Sequence, residues 1–316
     1  MKKGIALSLV FTLLLGVMLC VPTQSSEALS VLSEGQQPDE LLTESFNALR
    51  TVKNGHIDMD MTLDMNMIIA FGDQQMSMPI SILLNGSMDE QTDPLYLQGQ
   101  ISMDLSTMGS SQKQGYLFYL EKEGNVLATY SSEDDGASWK VQKTEGKADA
   151  ANAADIANVS SLIAANIKEF QTTGTELLDG VEAVVYSGKL DTGFLQEAME
   201  KAGAADTLAS LTEEVGIEGG LSALGDIGFA MYIDPDTHLP LKFTMDMADL
   251  LKNVVGVALK SAMGMDDMEG YEMDVQITSA LLECRLKDVN ALSALAVPEE
   301  VKAVAVETEA KVPAMP

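Results

Sequence analysis

The methionines of this chain recur in pairs two residues apart, a spacing that could serve a soft metal ion. The sequence contains 20 methionines, and Met-x-Met occurs at positions 59/61, 65/67, 76/78, 245/247 and 263/265. Thioether sulfur is a soft ligand that suits Cu(I). Residues two apart on a β-strand also share one face of a sheet, so the same pairs arise wherever methionine fills the apolar side of a strand. We favour the second interpretation, because methionine makes an adaptable apolar lining, and keep a Met-rich Cu(I)-binding module as an alternative.

Other residues offer little for catalysis. The two histidines, His56 and His238, are predicted to lie in turns and share no metal-ligand spacing. The chain has no Gly-x-Ser-x-Gly, P-loop, His-Glu-x-x-His or Gly-x-Gly-x-x-Gly motif. A serine or cysteine nucleophile would need a base close by, and two histidines in turns are few candidates for that role. The sequence therefore predicts a protein that is not an enzyme, with no catalytic residue, no cofactor and no metal site.

One short motif has a structural meaning. Residues 132–139 read Ser-Glu-Asp-Asp-Gly-Ala-Ser-Trp and match the Asp-box pattern. In this motif the aspartate binds the backbone amides of a turn, and the glycine permits a left-handed conformation. A single copy without a repeat predicts one hairpin tip, with Trp139 packed beneath it, and says nothing about glycosidase activity.

The charge and the cysteine content exclude several classes of protein. Acidic residues outnumber basic ones by 48 to 19. A surface this negative argues against nucleic acid and against an anionic membrane as partners. Once Cys20 leaves with a signal peptide, Cys284 is the only remaining thiol, so no internal disulfide can form. Stability must therefore come from a hydrophobic core, with Cys284 as a small buried residue rather than a reactive one. We also expect the protein to be a monomer.

The N-terminal residues predict export. Lys2 and Lys3 precede Ile5–Leu19, an uncharged and mostly apolar run of signal-peptide length. Small residues before the cut favour cleavage after Ala28 and soluble secretion. The alternative is a lipoprotein acylated at Cys20, for which the residues before the cysteine are a poor match. The protein is predicted to lie outside the cytoplasm, either secreted or anchored to the cell membrane through Cys20.

The hydrophobic pattern predicts a long run of strands. From Ile57 to Met67 every odd position is apolar and every even position is polar, which is typical of a strand with one dry face and one wet face. Short turns between such segments favour an antiparallel meander. The predicted strands are Ile57–Ile69, Met76–Met88, Pro94–Leu105, Gly115–Glu121, Asn125–Ser131, one from Trp139, then Thr172–Leu177, Val181–Leu190, Ile227–Ile233, Leu241–Met247 and Met273–Lys287.

Amphipathic helices interrupt these strands. Helical spacing of apolar residues predicts helices over Glu40–Val52 and within Lys147–Phe170. A third helix is predicted to be capped by Asp191 and a fourth to open at Asp249. The order of strand, aspartate and amphipathic helix therefore occurs twice. We interpret this as a repeated local arrangement and not as an internal duplication.

The order of these elements resembles that of LolA-like and LppX/LprG-like proteins. The segments that carry the resemblance are Leu41–Met67, Leu178–Tyr186, Tyr232–Lys242 and Val297–Val301. The chain is most similar to uncharacterised Gram-positive secreted or lipoprotein members of that superfamily. The resemblance implies an α+β fold, a strongly curved antiparallel β half-barrel with helices packed on its concave face. It also implies an apolar cavity between sheet and helices, which holds acyl chains in characterised relatives. Unlike the carriers, this chain offers no arginine that matches a lipid-headgroup site.

These inferences predict one domain and one kind of site. Residues 1–28 are the signal peptide, 29–39 a flexible leader, 40–302 a single LolA-like domain and 303–316 a disordered tail. The predicted function is to hold a lipid or another apolar small molecule, and the further alternative is a cell-envelope interaction or structural protein that binds a polypeptide. The predicted apolar lining comprises Ile57, Met59, Met61, Leu63, Met65, Met67, Met76, Met78, Ile80, Ile82, Leu95, Leu97, Ile101, Met103, Leu195, Met199, Leu251 and Val255.

Overall fold

A single curved, unclosed sheet dominates the computed structural model, which describes residues 40–71, 74–145, 166–193, 225–252 and 271–308. Helix α1 spans Glu40–Leu49 and helix α2 spans Glu299–Val304. The strands are β1 (Asn54–Phe71), β2 (Gln74–Thr92), β3 (Leu95–Thr107), β4 (Ser110–Glu123), β5 (Val126–Ser132), β6 (Lys140–Glu145), β7 (Ile167–Leu178), β8 (Val181–Asp191), β9 (Asp226–Ile233), β10 (Pro240–Asp246), β11 (Tyr271–Lys287) and β12 (Val306–Glu307).

The strand order is β12-β6-β5-β4-β3-β2-β1-β11-β10-β9-β8-β7. Among the described strands every neighbouring pair is antiparallel except β12 with β6. Strands β1 and β11 pair near the middle of the sheet, so two meanders meet there. The predicted fold class, a curved antiparallel half-barrel of the α+β kind, is confirmed.

One face of the sheet carries the main core, and we call it the methionine face. It is defined by the odd-numbered residues Met59 to Met67 of β1, all of which are buried. Met61 lies between Leu84 of β2 and Leu282 of β11. Leu42, Phe46 and Leu49 of α1 are buried in the same cluster. Burying a large apolar side chain contributes about 1.5–3 kcal/mol, so the alternation of β1 fixes which face turns inward.

The opposite face, which we call the outer face, carries a second core at the β3–β6 end. Its buried residues include Tyr96, Trp139 and Val301. The chain reaches this place after β11 by crossing the outer face. On the way the backbone N–H of Leu292 donates to Asn54 Oδ1 at 3.0 Å, and that of Leu295 donates to Gln91 Oε1 at 3.3 Å.

The crossing segment ends as part of the sheet. Helix α2 packs Val301 into the second core, and β12 pairs with β6 in parallel. Lys302 Nζ lies 2.9 Å from Glu121 Oε1 of β4. The prediction of a disordered tail over 303–316 is therefore wrong for residues 303–308. These residues are ordered because they pack on Trp139 and pair with β6, although their sequence has no periodicity. Residues 309–316 lie outside the described part of the chain.

The Asp-box forms the predicted tip between β5 and β6. Asp134 accepts hydrogen bonds from the Ser138 backbone N–H at 2.9 Å and from the Ser138 hydroxyl at 2.6 Å. These bonds, the hydroxyl one first, lower the pKa of Asp134 to about 2. Gly136 has a φ of +85°, and Trp139 lies beneath the turn with its ring 5.2 Å from that of Tyr119. The motif is thus structural, as predicted.

Two helix predictions need correction. The helix predicted to run to Phe170 is wrong for residues 167–170, which belong to β7, while residues 147–165 lie outside the described ranges. Ile167 pairs with Leu190, and the Phe170 ring stacks 5.9 Å from Tyr186, so sheet pairing overrides the helical spacing. The later helix begins at Ala248 rather than at Asp249.

The two aspartates that end strands β8 and β10 make the same kind of hydrogen bond. Asp191 Oδ1 accepts from the Gly193 backbone N–H at 2.7 Å, and Asp246 Oδ1 accepts from the Ala248 backbone N–H at 3.1 Å. Asp246 therefore takes the place that the sequence predicted for Asp249. At Asp246 the bonded amide is one that the first helical turn leaves free, whereas the helix predicted after Asp191 lies outside the described residues.

Candidate functional site

The methionine face is the candidate ligand surface. The strand registers put the predicted residues of β1, β2 and β3 on this one face: Ile57, Met59, Met61, Leu63, Met65, Met67, Met76, Met78, Ile80, Ile82, Leu95, Leu97, Ile101 and Met103. Leu251 is buried in the same cluster from the helix that begins at Ala248. Leu195, Met199 and Val255 lie outside the described residues. The role of this set as a ligand lining stays a prediction.

Exposure on this face rises towards the β1–β2 hairpin tip. Leu63 and Met67 of β1 are 0% and 6% exposed. Met76, which lies on the neighbouring strand β2 and nearer the tip, is 50% exposed. Met108, at the neighbouring β3–β4 turn, is 67% exposed. The face is thus closed near α1 and accessible at the far end of the long strands.

The later strands supply lining residues that the sequence analysis did not single out. Phe229 and Met231 of β9 and Tyr186 of β8 are buried in the same cluster as Met61. A weaker signal was present, because every second residue of Ile227–Ile233 is large and apolar, although glycine, alanine and tyrosine stand between them instead of the polar residues of β1. Rings from four strands meet here: Phe229 lies 5.8 Å from Phe170 and 6.1 Å from Phe243.

Cys284 also faces this core, packed against it from β11. Burial raises the pKa of its thiol to about 12, with smaller contributions from Glu283 and Asp60. The thiol therefore stays protonated and acts as a small apolar group, which agrees with the sequence-based expectation.

The outer face carries a chain of hydrogen bonds centred on His56. Its Nδ1 lies 2.6 Å from Asp89 Oδ1, and its Nε2 lies 3.1 Å from Asp58 Oδ1. Lys287 Nζ donates to Asp58 Oδ2 at 2.8 Å, and Gln98 Nε2 donates to Asp89 Oδ2 at 2.7 Å. His56 belongs to β1, so its predicted position in a turn is wrong. Across the described ranges no group of three or more His, Cys, Asp or Glu residues is arranged to hold a metal ion.

Replacing His56 by glutamine should lower stability more at pH 6 than at pH 8. Burial acts to lower the pKa of His56, but the bonds to Asp89 and Asp58 outweigh it and raise the pKa overall. The stabilisation by the charged ring is complete below its unfolded pKa, about 6.5, and is lost as the pH rises through the folded pKa. We expect a cost of about 1–2 kcal/mol at pH 6, measured by urea unfolding. A loss that is equal at both pH values would show that Asp89 and Asp58 do not raise the pKa of the folded ring.

The sequence places the chain in a family. Residues 37–306 match the group described as "Family of unknown function (DUF6612)". The chain belongs to this family. No curated protein matches the sequence of this DUF6612 member. None of the helices in the described ranges is long and apolar enough to cross a membrane.

Three solved structures are similar to this DUF6612 chain at low identity. LprF from Mycobacterium bovis is 12% identical with a TM-score of 0.41, covering 88% of this chain and 99% of its own. Lipoprotein LppX from Mycobacterium tuberculosis is 12% identical with a TM-score of 0.37, covering 81% and 98%. A putative outer membrane lipoprotein-sorting protein domain from Vibrio parahaemolyticus is 9% identical with a TM-score of 0.24, covering 83% and 95%. Structures of the predicted superfamily are thus among its neighbours, while the fold assignment rests on the strand order and burial described above.

Proposed function

We propose that this protein is a non-enzymatic binding protein that works outside the cytoplasm and holds a lipid or another apolar ligand against the methionine face. The observation that supports this most is the row Met59–Met67 on a sheet that does not close on itself. An unclosed sheet cannot fill its own interior, so its apolar side needs helices or a ligand to cover it. The proposed location is outside the cytoplasm, either in a secreted form or anchored to the cell membrane through Cys20.

Methionine suits this role for a physical reason. Its side chain is unbranched and polarisable, so a surface rich in methionine adapts to chains of different length and saturation. Each Å² of ligand apolar surface removed from water contributes about 25 cal/mol. An acyl chain could therefore bind tightly here with few polar contacts, and the exposed end around Met76 and Met108 provides a route of entry.

Native mass spectrometry of protein purified from cells without detergent tests the proposal. We expect a bound species of lipid mass that organic extraction removes, leaving the bare chain. The extracted protein, measured in the same way, is the control. A clean unliganded mass before extraction would contradict the proposal, and a bound peptide or copper mass would favour one of the two alternative functions.

A further inference from the structure

The outer face carries a groove that the lipid proposal does not use. It encloses about 560 Å³ and crosses β11, β1, β2, β3 and β4. A smaller depression of about 240 Å³ continues it to Tyr119, sharing Ser87 and Gln100 with the first. With strands about 4.8 Å apart, the five strands give a length of roughly 19 Å. We call this continuous depression the outer groove.

Uncharged hydrogen-bonding side chains form its floor. Ser87 pairs with Gln100, and Asn85 pairs with Ser102, so amides and hydroxyls stand side by side on adjacent strands. The next strand presents Gly115 opposite Ser102. A Cβ atom at Gly115 would lie 3.1 Å from Asp135 Oδ1, so the glycine leaves room for the Asp-box hairpin to overhang the groove.

Apart from Asp135 on the overhanging hairpin, the charged groups along the groove are held by partners of opposite charge or by amides. Asp58 is paired with Lys287 at 2.8 Å, and Asp60 Oδ1 accepts from Asn85 Nδ2 at 2.6 Å. Arg285 is paired with Glu283 at 2.7 Å. The groove therefore presents hydrogen-bond donors and acceptors in fixed positions, and its electrostatic potential is not dominated by one sign. Such a surface suits an uncharged polar ligand better than an ion.

We propose that the outer groove binds an oligosaccharide of uncharged sugars. Sugar hydroxyls both donate and accept, so they match a floor of amides and hydroxyls flanked by carboxylates. The Tyr119 ring, supported by Trp139 at 5.2 Å, offers an aromatic surface to the C–H face of a sugar at one end. The net charge of −29 argues against a polyanionic glycan. This site lies on the opposite side of the sheet from the proposed lipid surface and does not depend on it.

Filling the groove tests the proposal. Ser102→Tyr places a large ring on the groove floor. Ser106→Tyr is the matched control, because Ser106 lies on the same strand and face but is exposed and outside the groove. Gln100→Ala removes one polar partner without adding bulk. The probes are linear hexasaccharides of β-1,4-glucose, α-1,4-glucose and β-1,4-N-acetylglucosamine, titrated calorimetrically into the full secreted chain.

We expect at least one hexasaccharide to bind with a Kd below about 1 mM. Ser102→Tyr should weaken that binding roughly tenfold or more, and Gln100→Ala roughly fivefold, while Ser106→Tyr stays within about twofold. Co-purified lipid should be unchanged in all three variants. The proposal is overturned if none of the hexasaccharides binds, or if Ser106→Tyr and Ser102→Tyr weaken binding equally.

Discussion

Met61→Asp should destabilise the protein by about 3–5 kcal/mol, enough to unfold much of it at 37 °C. Met61 is 3% exposed and lies between Leu84 and Leu282 on the two neighbouring strands. A carboxylate there would lose its hydration without gaining a partner, and the packing of the methionine side chain would also be lost. Urea unfolding followed by circular dichroism measures the loss.

The neighbouring residue provides the control. Asp60→Asn changes an exposed residue of the outer face whose carboxylate accepts one hydrogen bond, from Asn85. We expect a change within about 0.5 kcal/mol, as is usual for a surface substitution. Equal losses at positions 60 and 61 would mean that the two faces of β1 are assigned the wrong way round.

Val301→Asp should open the second core and lower the free energy of unfolding by about 3 kcal/mol. Val301 is 5% exposed and packs in the cluster that contains Trp139 and Tyr130. Trp139 is the only tryptophan of the chain, so its fluorescence reports on this cluster alone. We expect its emission to shift to longer wavelength as water reaches the ring.

Ala303→Asp is the matched control for this variant. Ala303 lies on the same helix, α2, but is exposed, so the new charge remains in water. Its emission spectrum should match that of the wild type, with a loss of stability below about 1 kcal/mol from the added acidic group near the helix C-terminus. If Val301→Asp left the Trp139 spectrum unchanged, the C-terminal segment would not cover this core in solution.

The alternation of apolar and polar residues was the most informative pattern in the sequence. The strict period of two in β1 identified Met59, Met61 and Met65 as buried before any register was known, and burial of these positions is confirmed. This worked because Met61 and Met65 meet apolar side chains on both adjacent strands, while Met59 lies between Cys284 and Gly86, so local pattern and tertiary packing agree. The weaker alternation in β9 would have extended the candidate surface to Phe229 and Met231.

Long-range packing explains what the sequence did not predict. Asn54-Gly55 has the composition of a turn, yet both residues open β1. The Asn54 side chain binds the backbone of Leu292, and a Cβ at Gly55 would lie 3.3 Å from Leu286. Likewise α2 has only six residues, too few for a periodic signal, and its position depends on Trp139, far away in the chain.

Photolabelling would locate the proposed apolar ligand on the methionine face. Purified protein would be loaded with a fatty acid that carries a diazirine near its methyl end, irradiated, digested and mapped by mass spectrometry. We expect adducts at positions such as Met67, Met78 and Ile80, which are lost when unlabelled fatty acid competes. Leu83 and Leu281 are the internal comparison, since they are 44% and 43% exposed on the outer face. Competable adducts confined to those two leucines would contradict a ligand site on the methionine face.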